Sequence, residues 1–194
     1  ILRIERRKKR TTRGARVRED VDVILRSDAD HSPVCSPDCP SAGPDRCSRH
    51  CPDIPEIMSS DPENSPLESR IAPLAYELKR FRTFEPCWSC EGHNGPDGSL
   101  WKIPRVWFYC ESVVQVRVLS DAVSEHRLAA QLSAPWRVVL TFSDPDNVDT
   151  TFSLEPSLGP NRPKLSALQR DIDIIAEHLR DATFAEARKL SRLT

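Results

Sequence analysis

The chain has 194 residues, enough for one ordinary domain and a smaller appendage, with a hydrophobic fraction of 38% and a net charge of −1. No apolar run approaches the ~18 residues that a membrane-crossing helix requires, and no basic, apolar and small-residue pattern of a secretory leader is visible. These features point to a cytoplasmic protein without a membrane partner.

In chain order, the first feature is a concentration of charge. Nine of the first eighteen residues are Lys or Arg, from Arg3 to Arg18, and only Glu5 opposes them. Residues 1–30 read as a basic, disordered arm, interrupted by one short apolar alternation at Val21, Val23 and Leu25 that is the length of a strand. A solvated, interaction-neutral tail is the first reading of such an arm, and contact with nucleic-acid phosphates is the alternative. Residues 31–64 follow as a cysteine- and proline-rich segment with almost no large apolar side chains. Such a segment cannot fold by burial alone and needs a cross-link.

From residue 65 the pattern changes. Ser65, Pro66 and Glu68 spell a capping box, and Ile71, Leu74, Ala75, Leu78 and Phe81 recur at helical spacing. Pro73 removes a helix hydrogen bond and moves the regular start to about Ala72. Residues 85–102 read as loop, 106–110 as a β-prone run, and 112–132 as a helix with Val113, Val116, Leu119 and Val123 on one face. Residues 136–142 alternate as a strand. The turn Asp144-Pro145-Asp146-Asn147 returns the chain into a second strand at 150–154, predicting a hairpin. A C-terminal helix starts near Pro163 and carries Leu165, Leu168, Ile172, Ile175 and Leu179. A break is expected near Thr183, before Phe184, Ala187 and Leu190 continue a second stripe. The order predicts an α+β domain over residues 65–194, a small, mainly antiparallel sheet with helices packed on one face.

The cysteines carry the chemistry. All seven lie between positions 35 and 110. Cys35, Cys39, Cys47 and Cys51 form two equally spaced pairs in the loop-rich segment. Four thiolates on one ion would supply the folding energy that its composition lacks. Zinc suits this task, and an iron–sulfur cluster is the alternative; disulfides or free thiols are also compatible. His31 and His50 read as exposed loop residues rather than substitute ligands. The second group is Cys87-Trp88-Ser89-Cys90-Glu91-Gly92-His93, a Cys-x-x-Cys knuckle with His93 as a third ligand and Cys110 as the fourth. A thioredoxin-like reading fails because the residues after Cys90 cannot propagate the helix that lowers a reactive thiol's pKa. Packed thiols and a hydrogen-bonded loop histidine are the plain alternative.

The run from Ile71 to Phe81, then Ser89-Cys90-Glu91-Gly92-His93, then Val106-Trp107-Phe108-Tyr109, resembles small uncharacterised bacterial and phage proteins with an amphipathic helix, this turn and an apolar strand. It is more loosely similar to the wybutosine-type tRNA methyltransferases, which carry a Ser-Cys-x-Gly turn after a helix and an Arg at the place of His93. The resemblance covers about forty residues of the chain and brings no activity with it. If the turn is functional, Glu91 and His93 are the candidate catalytic side chains, Glu91 as general base or as a hydrogen-bond partner that orients a metal ligand, His93 as titrating group or ligand.

Asp144, Asp146 and Asp149 are explained by turn chemistry without a cation. The four tryptophans, Trp88, Trp101, Trp107 and Trp136, read first as packing and anchoring residues. No phosphate-binding glycine loop, dinucleotide fingerprint, His-Glu-x-x-His or Gly-x-Ser-x-Gly is present. The leading expectation is a non-catalytic zinc-binding adaptor or regulator with a protein partner. An enzyme built on the Cys-Glu-Gly-His turn, or a structural subunit anchored by exposed tryptophans, are the alternatives.

Overall fold

A computed structural model describes residues 2–27, 49–59, 63, 66–141 and 150–193, with side chains from residue 14 onward in the first helix. The elements are α1 (Leu2–Arg26), α2 (Ile54–Ile57), α3 (Ala72–Lys79), β1 (Glu85–Cys90), β2 (His93–Asn94), β3 (Leu100–Lys102), β4 (Arg105–Tyr109), α4 (Val113–Val123), α5 (His126–Ala129), β5 (Trp136–Thr141), β6 (Thr151–Pro156) and α6 (Leu165–Ser191). One four-stranded sheet runs in the order β1-β4-β6-β5, with every neighbouring pair antiparallel. β2 and β3 form a separate hairpin between β1 and β4 in the chain. The α+β class expected from the sequence is the one found.

The sheet supplies Val106 and Phe108 from β4, paired in register with Leu154 and Phe152 of β6. All four are buried in one core with Leu74 and Leu78 of α3, Leu119 and Val123 of α4, and Ile172, Ile175 and Leu179 of α6. Alternation on the strands and helical spacing on α3, α4 and α6 therefore converge on the same apolar layer. Three rings, Phe81, Phe84 and Phe108, meet edge to face along it, with centroids 5.7 and 5.5 Å apart for the successive pairs.

Five expectations are corrected. The basic arm, expected to be disordered, is helical over Leu2–Arg26. Val21 and Ile24 are fully buried in the main core, with Val17 and Leu25 packed against it. The spacing 17, 21, 24, 25 is a helical stripe, whereas the strand reading took 21, 23 and 25; Val23 is in fact exposed. The core domain thus recruits a segment assigned to the arm. The stretch 85–102 is not a loop: it holds β1, β2 and β3. Pro86 and the absence of alternation hid β1, which is an edge strand, the position where a sheet tolerates proline.

The expected 112–132 helix ends at Val123 and resumes as the short α5, because Glu125 caps the new helix by accepting from the Arg127 and Leu128 N–H groups. The break expected near Thr183 does not occur. Thr183 and Phe184 are buried, and α6 runs unbroken over 27 residues. The β5–β6 hairpin forms as expected, with Trp136 opposite Pro156 and Thr141 opposite Thr151. Its turn, with Asp144, Asp146 and Asp149, lies outside the described residues. No helix among the described residues is long and apolar enough to cross a membrane.

Candidate metal centre

Pro73 stands at the second position of α3, so the helix begins at Ala72 and Glu68 falls before it rather than in its first turn. The Glu68 carbonyl accepts from the Ile71 and Ala72 N–H groups, which seats the residue against the helix start. Its carboxylate points elsewhere. Oε2 accepts from the Glu91 N–H at 2.7 Å, and Oε1 lies 2.9 Å from His93 Nε2. The expected capping role of Glu68 is therefore replaced by a tertiary one.

The chain around Cys90 is held from both sides. Glu91 returns the contact by accepting from the Arg70 N–H at 3.0 Å, and its own carbonyl accepts from Gln169 Nε2 of α6 at 3.3 Å. Gly92 then turns the chain out of β1 with φ +83°, a conformation that costs an L side chain ~1–2 kcal/mol. A Cβ there would lie 2.6 Å from Leu165 Cδ1, the movable end of a half-buried side chain, and 3.0 Å from Pro104 Cδ, so the backbone geometry calls for glycine and the space around it is tight. The turn delivers Cys90 and His93 to one place.

Glu68, Cys90 and His93 form a group whose ligand atoms, a carboxylate oxygen, the thiol sulfur and a ring nitrogen, all lie within 4.8 Å of one another. Cys90 is only 3% exposed, whereas Glu68 and His93 are partly open to solvent. Burial pushes the Cys90 thiol up from its ordinary value, with the Glu68 carboxylate adding to the rise. The Gly92 backbone hydrogen bond and the charges of Lys102 and Arg105 pull against it. A divalent cation bound at ~2.0–2.3 Å by one oxygen, one nitrogen and one sulfur fits a group of this span, with small side-chain adjustments. The group borders a cavity of about 390 Å³ whose walls include Met58, Leu67, Trp88 and Lys102.

The other expected ligands are distributed differently. Cys87 lies in extended β1, at the register shift between Pro86 and Trp88. Three residues of extended chain separate its backbone from Cys90 by ~10 Å, so no knuckle brings the two sulfurs together as a tight turn would. Its thiol is pushed up mainly by burial, opposed by a hydrogen bond with the Tyr109 side chain. Cys110 follows Tyr109, which pairs with Glu85 at the far end of β1 from Cys90 and Arg105. Five residues of strand amount to ~16 Å, which rules it out as the fourth ligand. Its sulfur lies 3.5 Å from both the Ser112 carbonyl and Gln115 Oε1.

Cys35, Cys39, Cys47 and His31 lie outside the described residues. Cys51 is described, half-buried, with its sulfur 3.9 Å from Asp53 Oδ2. His50 is exposed. Glu91, a candidate base, is turned toward the Arg70 N–H and is not a member of the metal-compatible group. Glu68 is the residue that sequence reasoning assigned to another role. The available signal was its distance from the helix start that Pro73 imposes.

The tryptophans divide. Trp136 is buried and its indole N–H donates to Asp171 Oδ2 at 3.3 Å, while Trp88 and Trp101 are exposed. Trp88 and Trp107 meet with centroids 5.0 Å apart, and Arg105 lies over both rings.

Comparison with known proteins finds no matching family model, no matching curated protein and no matching solved structure.

Proposed function

We propose that the chain is a zinc-binding regulatory or adaptor protein that holds its ion through Glu68, Cys90 and His93, with a fourth position facing the adjoining cavity. The observation that carries this reading is the convergence of three ligand atoms of different chemistry within 4.8 Å, on a turn clamped from two sides. Zinc accepts this mixed oxygen, nitrogen and sulfur set, whereas an iron–sulfur cluster draws on several thiolates and only Cys90 belongs to the group. The non-catalytic form is supported by Glu91, whose carboxylate is engaged with the Arg70 N–H at 3.0 Å and so stands as a structural clamp rather than a base.

The enzymatic reading has one observation of its own, the cavity beside the group, since catalytic zinc sites combine three protein ligands with one exchangeable position.

Zinc content per chain, measured after purification under reducing conditions, tests the proposal. Cys90→Ser and His93→Ala should each lower it by one equivalent, and Cys110→Ser should leave it unchanged. Equal zinc in the wild type and Cys90→Ser would overturn the assignment, whatever metal the upstream cysteines hold.

A further inference from the structure

Besides the three candidate ligands, the cavity is lined by a cation and apolar surface. Lys102 pairs with His93 in the β2–β3 hairpin, which sets the two side chains next to each other across the strands. Its ammonium lies 4.5 Å from the centre of the Trp101 ring, and the residue is one of those that line the cavity. Among the described residues no ion pair joins Lys102 to a carboxylate. Arg105, the other cation acting on Cys90, is different: it lies 4.0 Å from Glu155, which also meets Arg137 at 3.8 Å. Met58, Leu67 and the exposed Trp88 supply the apolar remainder of the wall.

The charge balance decides what such a cavity takes. A divalent ion held by the Glu68 carboxylate, a Cys90 thiolate and a neutral His93 is fully neutralised by its ligands. Lys102 is then in excess by one positive charge, next to an open coordination position. A volume of about 390 Å³ lies within the range of small-molecule pockets, so the missing negative charge has room for an organic body behind it.

We propose that this cavity binds a small organic oxyanion, a carboxylate or phosphate whose head group completes the metal's coordination and pairs with Lys102, while its apolar body lies against Trp88 and Met58. The inference rests on the metal reading above. Without the ion, the Glu68 carboxylate meets the same anion repulsively, so binding requires the loaded protein. Lys102 is a binding residue in this arrangement and not a metal ligand.

The experiment uses the full chain loaded with cobalt(II), whose visible and thiolate charge-transfer bands report coordination. The loaded protein is titrated with 3-phenylpropionate, with phenyl phosphate and with the uncharged amide of the first. The expected result is a shift of the cobalt bands by at least one oxyanion and none by the amide. In Lys102→Gln the oxyanion binds about tenfold more weakly, the loss of one charge-assisted contact, and Lys102→Arg restores most of the affinity. The arm that binds more tightly identifies the head group.

Cobalt bands that persist unchanged in Cys90→Ser would overturn the metal reading itself. Bands that disappear in Cys90→Ser but do not respond to either oxyanion, or respond equally in Lys102→Gln, would overturn the oxyanion proposal alone. Circular dichroism of each variant establishes that it is folded.

Discussion

Glu68 accepts a hydrogen bond from the Glu91 N–H at 2.7 Å through one carboxylate oxygen, and its other oxygen lies 2.9 Å from His93 Nε2. One side chain therefore both fastens the turn after β1 and contributes to the metal-compatible group. The two roles separate on substitution, because an amide oxygen can accept the N–H bond but lacks the carboxylate's charge.

Glu68→Gln should lower zinc affinity on the order of 100-fold while changing folding stability by less than about 1 kcal/mol. Glu68→Ala should lose both, adding about 1 kcal/mol of destabilisation for the N–H left without its acceptor. Chelator competition gives the first quantity and denaturant unfolding of the metal-free protein the second. Equal stability of the two variants would mean that the Glu91 contact contributes nothing to the fold.

Gly92 and Gly98 both have positive φ, +83° and +78°, but only Gly92 is crowded. Gly98→Ala should cost the backbone conformation alone, about 1 kcal/mol. Gly92→Ala should cost about 2–4 kcal/mol, since its Cβ also meets Leu165 Cδ1 at 2.6 Å. Adding Leu165→Ala to Gly92→Ala should relieve the part of the loss due to that contact. Urea unfolding of the four variants, including Leu165→Ala alone, resolves the two contributions.

Asp171 is completely buried on α6 and accepts from the Ser133 N–H at 2.8 Å, the Ala134 N–H at 3.3 Å and the Trp136 indole at 3.3 Å. Asp171→Ala strands three donors at the junction of α5, β5 and α6, and should destabilise by about 3 kcal/mol or more. Trp136 fluorescence should shift as its indole loses its partner. An unfolding midpoint within error of wild type would show that water replaces the carboxylate at no cost.

Burial raises the Cys110 thiol above its ordinary value of 9.0, with the Ser112 backbone and Thr83 hydrogen bonds opposing the rise. The folded state therefore keeps this proton after the unfolded chain has released it. Its contribution to stability is full below the unfolded pKa and is lost as pH rises from there through the folded value. Metal-free protein should lose stability on going from pH ~8 to ~10.5, and Cys110→Ala should lose less over the same interval. Parallel curves for the two proteins would show that Cys110 does not ionise differently in the two states.

Much of the fold was legible because long periodic stripes leave few choices. Ile71, Leu74, Leu78 and Phe81 could bury together only at helical spacing, and the β-branched run at 136–141 forms a strand, although Leu140 is exposed. The failures share a cause: local signals of similar strength competed. Val21 belongs equally to an alternation with Val23 and to a helical spacing with Val17 and Ile24, and only the facing surfaces of α4 and α6 select the helix. β1 carries Pro86 and no alternation, so its strand character comes from the ladder with β4.

The candidate site divides along the same line. The sequence by itself determined that Cys90, Gly92 and His93 sit at one tight turn, since their spacing and the glycine are local properties. It also determined the stripes that build the sheet and the helical layer. Only the tertiary structure decided which residue joins them. Cys87 on β1 borders the same cavity but is not a member of the group, and Cys110 lies after the far end of β4, whereas α3 and β1 fold back on each other to bring Glu68 within 2.9 Å of His93 across twenty-five positions of sequence. Ligand geometry depends on where elements meet, and that is set by packing the whole apolar layer rather than by the residues that end up touching.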